Sequence, residues 1–188
     1  RTEQPDDEGT QVEFYWVGTD ARIAGTLVHR WMQQIVDTPG ETTELDEESA
    51  RLTSLRWLRE MGIVEDAAQN ILARTLSAVK QMLADERGRW LLQGEGHAEL
   101  ALSGVIDGQV ESVVIDRVRV DDDGAHWIVD YKTSTHEGGR LDEFLQAETE
   151  RYRPQLAKYA EIYGNYANVE PRCALYFPLL RQFVQVEP

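Results

Sequence analysis

Cysteine is almost missing from this chain of 188 residues, where Cys173 stands alone. A single thiol excludes an internal disulfide and any cluster held by several thiolates. It suits a reducing compartment, and the cytoplasm is the expected location. Lysine is nearly as scarce, with Lys80, Lys132 and Lys158 the whole supply. Acidic residues outnumber basic ones, and the net charge of −15 argues against a protein that grips a polyanion through its overall field. A local basic track stays open: Arg140, Arg151, Arg153, Arg172 and Arg181 all fall in the second half, and they read equally well as scattered surface arginines. No apolar stretch approaches the length of a membrane span and no signal peptide is visible, so no membrane is expected as a partner. The chain lacks a G-x-x-x-x-G-K-[ST] loop, which leaves no ATP site of that type. Methionine is absent from the first position, held by Arg1, and the expectation is a piece excised from a longer protein.

What is present suits one globular domain over residues 1–188, with 41% hydrophobic and 28% charged residues and enough chain to bury a true core. Residues 1–13 are polar and acidic and read as a flexible lead-in. Ile23, Ala24, Leu27, Val28, Trp31, Met32, Ile35 and Val36 recur at helical spacing, predicting a helix over 20–37 that Thr38-Pro39-Gly40 stops. Further helices are predicted over 45–60, after the acidic run at 41–48, and over 65–85. Strands are predicted over 90–93, 97–103 and 109–120, and again over 174–177 and 182–186. A short helix over 141–147 and a longer one over 152–163, with Pro154 in its first turn, complete the pattern. Helices, then a largely antiparallel sheet, then helix and strands imply a mixed α/β, α+β-like core.

The chemistry concentrates at Asp130-Tyr131-Lys132, which closes the apolar run Trp127-Ile128-Val129. Period-two alternation puts Asp130 and Lys132 on one face of a strand end. Alone this is a solvated ion pair, worth little, but the preceding strand changes its meaning. Val110, Val114, Val118 and Val120 share a parity with Asp116, while Glu111, Arg117 and Arg119 point the other way. The Asp-Gly step at Asp123-Gly124 signals a hairpin. If Val120 pairs with His126, Val118 meets Ile128 and Asp116 lies opposite Asp130. Like charges directly opposed are destabilising, and two such carboxylates call for a cation between them, a hard ion such as Mg²⁺ or Mn²⁺.

Four further polar features gain meaning only together. His29 borders the apolar arc of the first helix, one turn after Gly25, a helix-interior glycine that costs about 1 kcal/mol against alanine and marks a close approach by backbone or ligand. Glu99 projects opposite to Ala98, Leu100 and Leu102 and reads as solvent-facing. Gln155 and Tyr159 stand one turn apart on one helix face. In order, Gly25-Thr26-Leu27-Val28-His29, Val113-Val114-Ile115-Asp116-Arg117-Val118, Asp130-Tyr131-Lys132-Thr133 and Gln155-Leu156-Ala157-Lys158-Tyr159-Ala160 resemble the motif series of RecB-family nucleases. The likeness spans residues 25–160. It is similar to the PD-(D/E)XK nuclease domain at the C-terminal end of AddA- and RecB-type UvrD/Rep-like helicases.

The resemblance implies a restriction-endonuclease-like core, a central mixed sheet flanked by helices with a helical N-terminal part. It implies a metal-dependent (exo)deoxyribonuclease working with Mg²⁺ or Mn²⁺ on DNA, with single-stranded ends as the expected substrate and the parent's helicase region as partner. Asp116 and Asp130 would hold the metal, helped by the Tyr131 backbone carbonyl and His29. Lys132 would orient or activate the attacking water, and Gln155 and Tyr159 would flank the DNA path. Glu99 falls about where many members carry another acidic residue. Some relatives hold an iron–sulfur cluster on four cysteines, which this chain cannot do. Two other classes stay open: a catalytically inactive nuclease-fold module for DNA binding or scaffolding, and a structural cation site in an interaction domain.

Overall fold

The computed structural model describes residues 8–38, 40, 44–63, 65–136 and 138–188, with side chains from residue 18 onward except 65 and 66. Ten elements follow in order: α1 (Glu8–Asp37), α2 (Glu47–Glu60), α3 (Glu65–Ala84), α4 (Glu86–Leu92), β1 (Gly96–Ile106), β2 (Gln109–Val120), β3 (His126–Tyr131), α5 (Leu141–Ala167), β4 (Arg172–Phe177) and β5 (Gln182–Val186). The strands form one sheet in the order β1-β2-β3-β4-β5. All neighbours are antiparallel except β3 and β4, which run parallel, with α5 as the crossover that a parallel pair requires. The mixed α/β architecture, a five-strand mixed sheet flanked by helices, is consistent with a restriction-endonuclease-like fold. Among the described residues no helix is long and apolar enough to cross a membrane.

Two cores lie on the two faces of the sheet. On one, the buried arc Ala24, Leu27, Val28, Trp31, Met32 and Ile35 of α1 packs with α2, α3 and α4 against Trp127, Val129, Tyr131 and Tyr176. On the other, Leu156, Tyr159 and Ile162 of α5 pack on Ile115, Val118, Ile128 and Leu175. Local chemistry sets the helix starts. Asp46 accepts hydrogen bonds from the Glu48 and Ser49 backbone N–H groups (3.2 and 3.3 Å) to cap α2, and Asp85 accepts from Gly88 N (3.1 Å) to cap α4. Asp85 also accepts from the Tyr176 hydroxyl at 2.8 Å, tying α4 to β4.

Several sequence expectations need correction. The first helix starts earlier than residue 20, at Glu8, and residues 1–7 lie outside those described. Residues 90–93 are not a strand: Trp90, Leu91 and Leu92 end α4, and the cap at Asp85 is the local reason. The two helices expected over 141–147 and 152–163 are one, with Pro154 inside it rather than in a first turn. Residues on both sides of Pro154, Leu145 and Leu156 among them, are buried in the same core, and that shared burial opposes the break a proline favours.

The sharpest correction concerns β2. Val110 and Val114 are exposed, whereas Val113 and Ile115 are buried in the same core as Val118. The inward parity therefore changes across Asp116 and Arg117. The partner strand bends at the same level, where Glu99 adopts a left-handed backbone (φ 48°) and drops out of the ladder between Ala98–Arg117 and Leu100–Ile115. Beyond the bend, Arg117 and Arg119 do point away from Val118, yet they are buried (0% and 7% exposed). Arg117 donates to four backbone carbonyls, of Leu91, Gln93, Gly94 and Val118, at 2.6–3.3 Å. It thereby locks the turn from α4 into β1.

Candidate active site

The hairpin register follows the sequence expectation as far as it runs: Val120 pairs with His126 and Val118 with Ile128. The Cα ladder then ends at Arg117–Val129, one pair short of the expected opposition of Asp116 and Asp130. A side chain takes the next rung instead. Asp116 Oδ2 accepts the Tyr131 backbone N–H at 2.7 Å, which fixes the carboxylate and leaves Oδ1 directed to the site.

That second oxygen meets α1. His29 Nδ1 lies 3.4 Å from Asp116 Oδ1 and 3.4 Å from Glu99 Oε1, and one ligand atom from each of the three lies within 4.8 Å of the others. Glu99 is the residue the sequence misplaced. Simple alternation sends it to solvent, but its left-handed backbone turns it toward His29, and only its loose likeness to the family's extra acid hinted at this. Burial pulls the His29 pKa down, yet hydrogen bonding and charge from Asp116 and Glu99 outweigh it and raise it to about 10. In the metal-free protein a proton on His29 thus sits where a cation would sit. One imidazole and two carboxylates are a donor set that suits a divalent ion with positions left for water, so the residues fit the expected metal.

Beside this group, the end of β3 carries the second half of the site. Asp130 is buried (3% exposed), and its Oδ1 accepts from Gln155 Nε2 at 3.0 Å. Its Oδ2 lies 2.6 Å from Lys132 Nζ. Burial raises the Asp130 pKa, the Asp116 charge adds to the rise, and Lys132 opposes both. Asp130 stands outside the three-donor group, held by Gln155 and Lys132. Gln155 also donates to the Tyr159 hydroxyl (2.6 Å), and burial pushes the Tyr159 pKa up to about 12. These two α5 residues therefore brace Asp130 from below.

Lys132 is pinned at both ends. Its backbone N–H donates to the Tyr176 carbonyl at 2.8 Å, and its ammonium lies 3.6 Å from the centroid of the Tyr152 ring. Tyr152 was missed by sequence reading, although it lies one turn before Gln155 on the same helix. Gly25 does mark a close approach, made by a side chain: a Cβ there would lie 3.1 Å from Thr133 Oγ1, in the loop that follows Lys132. Four of the five arginines of the second half have local partners among the described residues. Arg140, Arg151 and Arg153 pair with Glu143, Glu148 and Glu150 on their own helix end or face. Arg172 stacks on Trp127, at the strand ends opposite the site.

His29, Asp116, Asp130 and Lys132 thus come together from three elements, with Glu99 added by the bend in β1. No curated protein matches the chain. The PD-(D/E)XK nuclease superfamily model matches residues 17–185, which contain every one of these groups. Nucleases of this kind use divalent metals. The chain belongs to the PD-(D/E)XK nuclease superfamily.

Proposed function

We propose that the protein hydrolyses DNA phosphodiesters with Mg²⁺ or Mn²⁺, as the exonuclease part of a longer helicase-nuclease of the RecB type in cytoplasmic DNA repair or recombination. Residues 1–188 are one nuclease domain in this reading, and single-stranded ends delivered by the helicase region are its substrate. One observation carries it: a lysine held between a buried aspartate and an aromatic ring, beside a preorganised group of one imidazole and two carboxylates. A structural ion pair has no need of the second group, and a structural cation site has no need of the lysine.

In this mechanism His29, Glu99 and Asp116 would hold the divalent ion, with Asp130 and the Tyr131 carbonyl as the further ligands the family resemblance implies. A divalent ion bound there lowers the pKa of a water and stabilises charge developing on the phosphate. Asp130, fixed by Gln155, holds Lys132 Nζ in place. Lys132 then orients the attacking water and offsets negative charge on the phosphate. Gln155 and Tyr159 keep Asp130 aligned.

The test is cleavage of labelled single- and double-stranded DNA by the purified protein in Mg²⁺, Mn²⁺ or EDTA. Metal-dependent release of nucleotides from single-stranded ends is the expected result. Metal-dependent DNA binding without cleavage would make this an inactive nuclease-fold module, and metal binding without DNA binding a structural cation site.

A further inference from the structure

Two clefts lie along α1 and meet at Arg30 and Gln33. The first, of about 520 Å³, contains His29 and Glu99 of the three-donor group and is walled by Arg22, Thr26 and Thr133. The second, of about 430 Å³, continues past Gln34 and Thr38 to Arg56. Between Arg22 and Thr38 the helical rise gives a groove of about 24 Å. Its floor is the polar stripe of α1, since the other face of that helix is buried in the core.

The charge along this groove differs from that of the molecule. Arg30 and Arg56 both approach Glu60, at 3.8 and 3.9 Å, and Arg30 is held over the Trp57 ring at 4.3 Å. Glu60 and Asp37 offset these two cations. Arg22 is exposed, lines the cleft that holds the metal-ligating group, and has no ion-pair partner among the described residues. It lies seven residues before His29, two turns along the same helix face, about 10 Å away. The rest of the wall offers hydroxyls and amides, donors that suit phosphate and sugar oxygens without reading sequence. Trp57 is buried and offers no stacking platform.

We infer that the α1 groove, with Arg22 as its phosphate anchor, is the path by which a single DNA strand reaches the metal-ligating group. This rests on the nuclease reading for its metal end, but strand binding is measured separately from cleavage. Against a net charge of −15, an exposed arginine with no ion pair, two helical turns from the metal-ligating group and lining its cleft, favours this direction of approach.

The test is fluorescence anisotropy of a labelled single-stranded oligonucleotide at low salt, with Ca²⁺ as a metal expected to support binding. Arg22→Glu is compared with Arg172→Glu, which makes the same change in net charge at the far end of the sheet. The expected result is a loss of affinity of about tenfold or more for Arg22→Glu and less than about twofold for Arg172→Glu, with unchanged circular dichroism for both. Arg22→Ala should flatten the dependence of log K on log salt by about 0.7, one single-strand phosphate contact. Equal losses in the two glutamate variants, no loss in either, or no binding by the wild type would each overturn the inference. If Arg22-dependent binding survives while Mn²⁺ supports no cleavage, the path stands and the catalytic reading fails.

Discussion

Asp116 and Arg117 are neighbours on β2, both buried and both ionisable, and they do opposite things. Arg117 sends its donors to four backbone carbonyls, and burial, first among the causes, lowers its pKa. Four of its five N–H donors are taken up by the fold. Asp116 gives one oxygen to the fold, through Tyr131 N–H, and turns the other toward His29. A buried charge whose capacity is consumed is architecture. One with capacity left over, facing others in the same condition, is a site.

The comparison breaks most visibly through activity. Asp116→Ala should lower metal-dependent cleavage by about four orders of magnitude, about 5.5 kcal/mol in the barrier, and abolish Mn²⁺ binding by calorimetry, while the chain still folds. Lys132→Ala should lose comparable activity with Mn²⁺ affinity intact. If Asp116→Ala keeps its Mn²⁺ affinity, the site is misassigned.

Next in size is the architectural member. Arg117→Ala takes the donor from four carbonyls, with the bonds to Leu91 and Val118 buried, and urea denaturation should show a loss of about 4 kcal/mol. A loss under about 1 kcal/mol would mean that water enters and satisfies those groups, and the contrast with Asp116 would weaken.

Metal binding should add about 2.7 kcal/mol of stability at a hundredfold excess over Kd, read as a rise in Tm. The sign of its pH dependence follows from His29, whose folded pKa of about 10 exceeds the ordinary 6.5. In the metal-free protein its stabilising contribution is complete below about 6.5 and is lost as pH rises through about 10. A metal must displace that proton, so near pH 8 binding should release one proton. Calorimetry in two buffers of different ionisation enthalpy measures it, and buffer-independent heats would show that His29 is not a ligand.

The smallest effect is expected at Gly25→Ala. The helix gains about 1 kcal/mol in propensity, but the new methyl must move Thr133 Oγ1, 3.1 Å away. Stability should stay within about 0.5 kcal/mol while kcat falls several-fold through the displaced loop beside Lys132. Unchanged kcat would show that this loop does not position the lysine.

The hairpin register and the first three helices are legible because period and turn chemistry are local, whereas the grouping of His29 with Asp116 comes from the family resemblance alone. What escaped is equally specific. The inward parity of β2 changes at a bend made jointly with β1, so Val110 and Val114 were placed inside and Glu99 outside. Asp85 as the cap of α4 was visible as an Asp-Glu step, but the apolar Trp90-Leu91-Leu92 read more strongly as strand. Asp107-Gly108, both residues at positive φ (49° and 77°), form the tight turn that joins β1 to β2, a hairpin signal of the same kind as Asp123-Gly124.

The rung that Asp116 makes to Tyr131 has one more consequence. A single amide proton, that of Tyr131, is bonded to a side chain of the site instead of to a neighbouring strand. Its chemical shift and its exchange with solvent are therefore a built-in reporter of how much charge Asp116 keeps for itself. A diamagnetic ion such as Mg²⁺ drawing on the other oxygen of that carboxylate weakens the bond and moves one backbone resonance, at a residue that never touches the substrate through its side chain. Occupancy of the site could then be followed in the intact protein without turnover, without a label and without any substrate present.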